Sequence, residues 1–222
     1  MIDQGAANAI LANHDLQTGG APLTRARAVI VALHGRGADA RSILGLTDVL
    51  AQPDVAFLAP QAQHRMWYPQ SFVAPIAANE PFLSRSLAQI AGLLDDLEAA
   101  GIHARSIGLM GFSQGACLAL ESAIRRPRAY GAVFGISGGF IGPLGETRKA
   151  EGLLDHAPVF LGCSEADPHI PLSRVKETVA LMRAMGANVE ERIYPGFGHG
   201  VNDDEIAHMK RMLVAMVHGD RT

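Results

Sequence analysis

Short apolar runs alternate along this chain with longer stretches whose apolar positions recur every third or fourth residue. The strand-like runs are Ala28–Leu33, Val55–Ala59, Ser106–Met110, Gly131–Ile136, Pro158–Cys163 and Val189–Tyr194. Between them lie helical patterns. From Ser84 to Ala100, Leu87, Ile90, Ala91, Leu94 and Leu97 recur at helical spacing, with a serine at the start and Gly101 as a C-terminal stop. Gln114–Arg126 stops before Pro127 and Pro171–Met185 stops at Gly186. Asn202–Val217 opens on Asp203, Asp204 and Glu205, whose charges suit the positive end of a helix dipole. A strand-helix-strand succession of this length predicts an α/β fold, with a mostly parallel central sheet covered by helices on both faces.

One segment breaks the pattern. Gln61 to Leu83 has no clean period, contains Pro69, Pro75 and Pro81, and gathers Trp67, Tyr68, Phe72 and Phe82 in a chain that is only 5% aromatic. It predicts a long excursion between a strand and the next helix. Loops longer than about 12–15 residues inside a compact domain are usually functional or disordered, and the aromatic content argues against disorder. The excursion leaves a strand end, the side on which α/β sites form, so Trp67, Tyr68 and Phe72 are candidate substrate-binding residues, with Trp67 as a wall of the pocket. No repeat, low-complexity tract or flexible linker divides the 222 residues, which are expected to form a single domain, 1–222.

Composition narrows the classes of function. Hydrophobic residues make up 48% of the chain and charged residues 18%, ample for a buried core and little for a disordered tail. A net charge of −3 without a run of like charge offers no footprint for phosphate backbones or anionic lipid, so no nucleic-acid partner is expected. Cys117 and Cys163 are too few for a disulfide framework and lack metal-ligand spacing. They read as free thiols in a reducing cytosol, with no metal. The first twenty residues lack the basic start and apolar stretch of a signal peptide, and Ala28–Leu33, the longest aliphatic run, is too short to span a bilayer. A cytoplasmic protein without a membrane span is the expectation.

The most specific local signal is Gly111-Phe112-Ser113-Gln114-Gly115, set directly after one strand and directly before a helix. This G-x-S-x-G pattern is that of a nucleophile elbow: small residues two before and two after the serine let the turn close while the hydroxyl is lifted clear of the sheet. A serine hydroxyl needs a supported base, so a carboxylate and then a histidine must follow in the chain. His199, in the glycine-dense Gly196–Gly200 loop between a strand and the last helix, is the candidate base; His156, His169, His208 and His218 read as solvated or packing residues. Asp167, kept in a loop by Pro168, is the candidate acid, and Glu165 is its rival. His34-Gly35-Arg36-Gly37 ends another strand, where glycines let backbone N–H groups approach an oxyanion; His34 reads as structural. The same stretch, Gly35 to Ala40, also fits a dinucleotide fingerprint, but no acidic residue follows the next strand to hold a ribose.

Taken in order, LHGRGAD (33–39), APQA (59–62), GFSQGA (111–116), SEADPHIP (164–171) and YPGFGHGV (194–201) resemble the phospholipase/carboxylesterase family of small α/β-hydrolases, which includes acyl-protein thioesterases and lysophospholipases. The resemblance covers Ala28 to Val217. It implies an α/β-hydrolase fold with Ser113 as nucleophile, His199 as base and Asp167 as orienting acid. It assigns the oxyanion hole to the backbone N–H groups of Arg36 and Gln114. It implies hydrolysis of carboxylic esters through an acyl-serine, no cofactor, a small-molecule ester as partner and, as in many members, a homodimer; the aromatic residues of the excursion, by limiting the pocket, lead to the expectation of short to medium acyl chains. Met66–Leu83 departs from the acyl-protein thioesterases and resembles a bacterial carboxylesterase branch, which weighs against a lipidated-protein substrate. Thioester or lysophospholipid hydrolysis on the same machinery, and a non-catalytic binding module on the same fold, are the alternatives.

Overall fold

A computed structural model describes residues 2–219 of the chain. In chain order its elements are α1 (Gln4–Asn13), β1 (Leu16–Gly20), β2 (Ala28–Leu33), α2 (Ala40–Leu50), β3 (Val55–Pro60), α3 (Ile76–Asn79), α4 (Phe82–Ala99) and β4 (Ile107–Phe112). There follow α5 (Gln114–Arg125), β5 (Ala132–Ile136), β6 (Pro158–Ser164), α6 (Leu172–Ala184), β7 (Asn188–Tyr194) and α7 (Asp203–His218). The strands form one sheet in the order β1-β3-β2-β4-β5-β6-β7. Strand β1 runs antiparallel to β3, and all other pairs are parallel.

The all-apolar runs form central strands because both faces of the sheet are covered. In β2, Val29, Val31 and Leu33 point into a core shared with α4, α5 and α6, while Ala28, Ile30 and Ala32 point into a second core shared with α2 and α7. Side-chain direction alternates along a strand, so such a run serves two cores at once and shows no polar period. Among the described residues, no helix is long and apolar enough to cross a membrane.

The strands from β2 onward and the helices α4 to α7 lie within two residues of the bounds expected from the pattern. For β1, α1 and α2 the pattern gave no bounds. Strand β1 reads LQTGG and pairs on one side only, as the sheet's edge, so burial demanded no apolar alternation. Helix α1 buries only Ala7 and Ile10, too narrow a stripe to stand out in sequence. Inside the excursion, the short α3 was likewise not anticipated.

Because the strands from β2 onward are parallel, their carboxyl ends share one edge of the sheet. Gly35 and Arg36 follow β2, the excursion follows β3, Ser113 follows β4, Asp167 follows β6 and His199 follows β7. Residues scattered over most of the chain are thereby delivered to one place.

Candidate active site

Ser113 sits between β4 and α5 with φ 56 and ψ −120, a left-handed conformation that costs a non-glycine residue about 1–3 kcal/mol. The turn persists because its neighbours over-determine it. A Cβ on Gly111 would lie 2.2 Å from the Gly115 carbonyl oxygen, and one on Gly115 would lie 2.1 Å from that of Leu33. Both glycines of the motif are therefore required by backbone-to-backbone contact. The Ser113 side chain does not cap α5, so the helix presents its first N–H groups toward the site. The Gly35 backbone packs on the same turn: a Cβ there would stand 3.6 Å from the Ser113 Cβ. Among the described residues, the backbone N–H groups of Arg36 and Gln114 donate to no protein acceptor, whereas that of Gly37 is used by the Arg65 carbonyl at 2.7 Å.

His199 connects the serine to an acid. Its Nε2 lies 2.9 Å from Ser113 Oγ and its Nδ1 lies 2.7 Å from Asp167 Oδ2. A carboxylate can only accept, so Nδ1 carries the proton and Nε2 is left to accept from the serine hydroxyl. The imidazole is held between Phe112 and His169, whose rings are each 4.9 Å from it. The side chain of Asp167 is buried, and its Oδ1 accepts from the N–H groups of His169 and Ile170 at 2.8 and 3.1 Å. Burial opposes its charge, but the bonds from His199 and these two amides outweigh that and hold its carboxyl below the usual range. Glu165 is exposed, and its N–H pairs with the Tyr194 carbonyl; among the described residues the ring nitrogens of His199 pair with Asp167 and Ser113 and not with Glu165. Cys163 lies beneath Asp167, its thiol pushed up to about 12 by burial.

His34 supports the site without entering it. Its Nε2 accepts from the Ala62 N–H at 3.1 Å, which places the proton on Nδ1 for the Gly35 carbonyl at 2.8 Å; burial lowers its pKa. The fingerprint-like stretch after it offers no cradle for a pyrophosphate. The N-terminus of α2 is closed by the chain itself, with Ser42 N–H on Asp39 and Ala40 N–H on Gln61.

The excursion is a strap clamped from below. The Arg36 guanidinium donates to the carbonyls of Tyr68, Pro69 and Gln70 at 2.7–2.9 Å. Gln114 accepts from the Trp67 N–H at 2.9 Å and donates to the Tyr68 carbonyl at 2.8 Å. Asn79 holds Gln70 and Ser71, and Ser86 holds Trp67. Clamped in this way, residues 68–72 line a cavity of about 560 Å³ that opens on Ser113 and His199, together with Phe112, Cys117, His169 and Ile170.

The expectation that Trp67 walls this pocket is corrected. Tyr68 and Phe72 line it, but Trp67 points the other way, 1% exposed, with its indole N–H donating to the His34 carbonyl at 2.8 Å and its ring 5.0 Å from the imidazole. A buried indole goes where its N–H finds an acceptor, and here that acceptor lies in the core. His169, read from sequence as solvated or packing, lines the cavity. Its position two residues after Asp167, on the same loop, was the available signal.

Behind the histidine loop, Glu205 caps α7, accepting from the Asn202 N–H at 2.9 Å, and lies against Gly162 of β6. Burial pushes its carboxyl up to about 7, against the opposing effect of that N–H, and Asp204 adds to the rise. The folded state then binds the proton more tightly than the unfolded one. The resulting stability is fully present below the unfolded value near 4.5 and is lost as pH rises through about 7. Glu205→Gln keeps an acceptor for Asn202, so it should raise Tm by at least about 3 °C near pH 8 and leave it nearly unchanged near pH 4.5. Thermal unfolding at the two pH values checks this; equal shifts at both would contradict it.

A mostly parallel sheet that delivers a strained serine from the end of a central strand is the architecture of the α/β-hydrolases. Within that class the chain belongs to the phospholipase/carboxylesterase family, whose model matches residues 20–217. A phospholipase/carboxylesterase from Dyadobacter fermentans DSM 18053 superposes with a TM-score of 0.85 at 41% identity, covering 89% of this chain and 95% of that one. Acyl-protein thioesterase 1 of Gibberella zeae is 28% identical over 116 residues, 51% of this chain and 49% of the relative. A protein of Oryza sativa named as a probable inactive carboxylesterase is 22% identical over 149 residues, 65% of this chain and 61% of the relative. The chain thus spans about half to three-fifths of the length of these two curated relatives.

Proposed function

We propose that this protein is a serine hydrolase that cleaves small carboxylic esters through an acyl-serine intermediate. The observation that carries the reading is the unbroken chain Ser113 Oγ, His199 and Asp167, with contacts of 2.9 and 2.7 Å, opening on a cavity. In the reaction, Oγ bonds to the ester carbonyl carbon as its proton passes to His199 Nε2. The carbonyl oxygen becomes an oxyanion, received by the free N–H groups of Arg36 and Gln114 at the open end of α5. Collapse breaks the bond to the alcohol oxygen, which takes the proton from Nε2. Water then gives a proton to Nε2 as its oxygen bonds to the acyl carbon, and collapse breaks the bond to Ser113 Oγ, which takes the proton back from Nε2 and releases the acid. Asp167 stays ionised throughout and supports the imidazolium.

The strap bounds the cavity, so the substrate reading is a short to medium acyl chain. Each buried methylene contributes about 0.8 kcal/mol, or roughly threefold to fourfold in kcat/KM, until the cavity is full. The test is a series of p-nitrophenyl esters from acetate upward, with matched thioesters. The expected profile climbs by about that factor per carbon and then turns over at short to medium length. Absence of hydrolysis at every length would favour the non-catalytic reading, and a preference for the thioesters would favour the activity in the name of the Gibberella relative. A cytoplasmic location belongs to the same proposal, supported by two cysteines that are free and buried.

A further inference from the structure

Arg36 bears one of the two N–H groups assigned to the oxyanion, yet its backbone is held by no bond of its own. Among the described residues neither its N–H nor its carbonyl has a hydrogen-bond partner. It stands between Gly35 and Gly37, the second at φ 79, so no neighbouring side chain restrains the turn. The tie is its own side chain. The guanidinium donates to the carbonyls of Tyr68, Pro69 and Gln70 at 2.9, 2.8 and 2.7 Å. The strap has ample support without these bonds. Gln114 and Ser86 hold Trp67, whose indole is bound to His34; Gln114 also holds the Tyr68 carbonyl, Asn79 holds Gln70 and Ser71, and the Phe72 carbonyl accepts from the Gly142 N–H at 2.8 Å. The partner with most to gain from the clamp is therefore the Arg36 backbone.

Resting on the serine-hydrolase reading and its assignment of the oxyanion hole, we infer that the Arg36 side chain is a positioning residue: bound to three carbonyls of the strap, it holds its own backbone N–H where the oxyanion forms. The peptide linking Gly35 to Arg36 is oriented from its other end. Its carbonyl accepts from His34 Nδ1 at 2.8 Å and from the Ala38 N–H at 3.2 Å. In a trans peptide the N–H points opposite to the carbonyl, so these bonds turn the Arg36 N–H away from His34 and Ala38. They set which way the peptide faces, and the guanidinium sets where its Arg36 end lies. Position matters because a donor stabilises an oxyanion fully only within about 2.7–3.1 Å of it, and a donor already in place costs no reorganisation during the reaction.

The test is Arg36→Met, which keeps an unbranched stem at an exposed position and removes every donor. Rates are taken per active site, counted by fluorophosphonate labelling run to completion, so that a misfolded fraction does not enter. With the best p-nitrophenyl ester, kcat should fall by about tenfold to a hundredfold while KM stays within about twofold. A trifluoromethyl ketone of the same chain length reads the oxyanion directly: Ser113 Oγ bonds to its carbonyl carbon, the proton passes to His199 Nε2, and the carbonyl oxygen becomes the oxyanion. Its affinity should fall by about the same factor as kcat, whereas the primary alcohol of that chain, which fills the cavity without an oxyanion, should bind as before. Arg36→Lys keeps the charge but not the planar fork, and should show the same pattern at a smaller size. Ketone affinity at the wild-type level in a folded Arg36→Met or Arg36→Lys, or equal loss of ketone and alcohol, would overturn the inference, the second by showing that the side chain serves only the cavity wall. A labelled, active wild type whose variants lose nothing sinks this inference alone; an unlabelled, inactive wild type sinks the hydrolase reading with it.

Discussion

Ser113→Ala is expected to abolish labelling by a fluorophosphonate probe and to lower ester hydrolysis by about a million-fold, to the level left by binding and the N–H groups alone. The size follows from chemistry that no other group in the cavity can supply. Among the described residues, only Ser113 Oγ stands within hydrogen-bond distance of the acceptor nitrogen of His199, at 2.9 Å, with the first N–H groups of α5 beside it. The fold should survive, because alanine carries the same Cβ as serine into the strained turn and loses one partly buried hydrogen bond. Intact protein mass after probe treatment, with a thermal midpoint as control, reads the result. A folded Ser113→Ala protein that still takes the label would require another nucleophile.

Asp167→Asn should cost about ten-thousand-fold in kcat, while Glu165→Gln stays near wild type. The geometry states why so conservative a change is severe. Oδ1 of Asp167 accepts from the N–H groups of His169 and Ile170, so the asparagine amide must keep its oxygen there and turn its NH2 toward His199. Nδ1 of the imidazole would then have to accept. The proton would move to Nε2, and the ring could no longer take one from Ser113. Binding of a product-like carboxylic acid should change little, which separates lost tautomer control from lost substrate contact. A crippled Glu165→Gln beside an active Asp167→Asn would overturn the assignment of the acid.

Arg36 and Gln114 each act twice. Their backbone N–H groups lie free beside the serine, while their side chains bind the strap at Tyr68, Pro69 and Gln70. On the proposed reading, the same two residues would supply the oxyanion site and hold in place the wall that faces the substrate. A displacement of the strap would be felt at the oxyanion site through a side chain's length.

Much of this was legible in the sequence by itself, wherever the physical requirement was local. Strand β2 could be read because a strand buried on two faces must be apolar at every position, and the turn at Ser113 because backbone contacts near 2 Å allow only glycine at 111 and 115. The succession of strands and helices implied parallel strands, hence a shared carboxyl edge to which Ser113, Asp167 and His199 would all be carried. The excursion was visible only as a break in period. Which of its rings face the cavity was decided by tertiary structure, through partners far away in the chain: the His34 carbonyl that draws in Trp67, and the clamps from Arg36 and Gln114 that leave Tyr68 and Phe72 on the wall. The edge strand β1 was decided the same way, by pairing with β3 rather than by its own apolar pattern. A segment without a period carries no internal record of which way its side chains turn, because that direction is set by long-range hydrogen bonds that exist only once the sheet has formed.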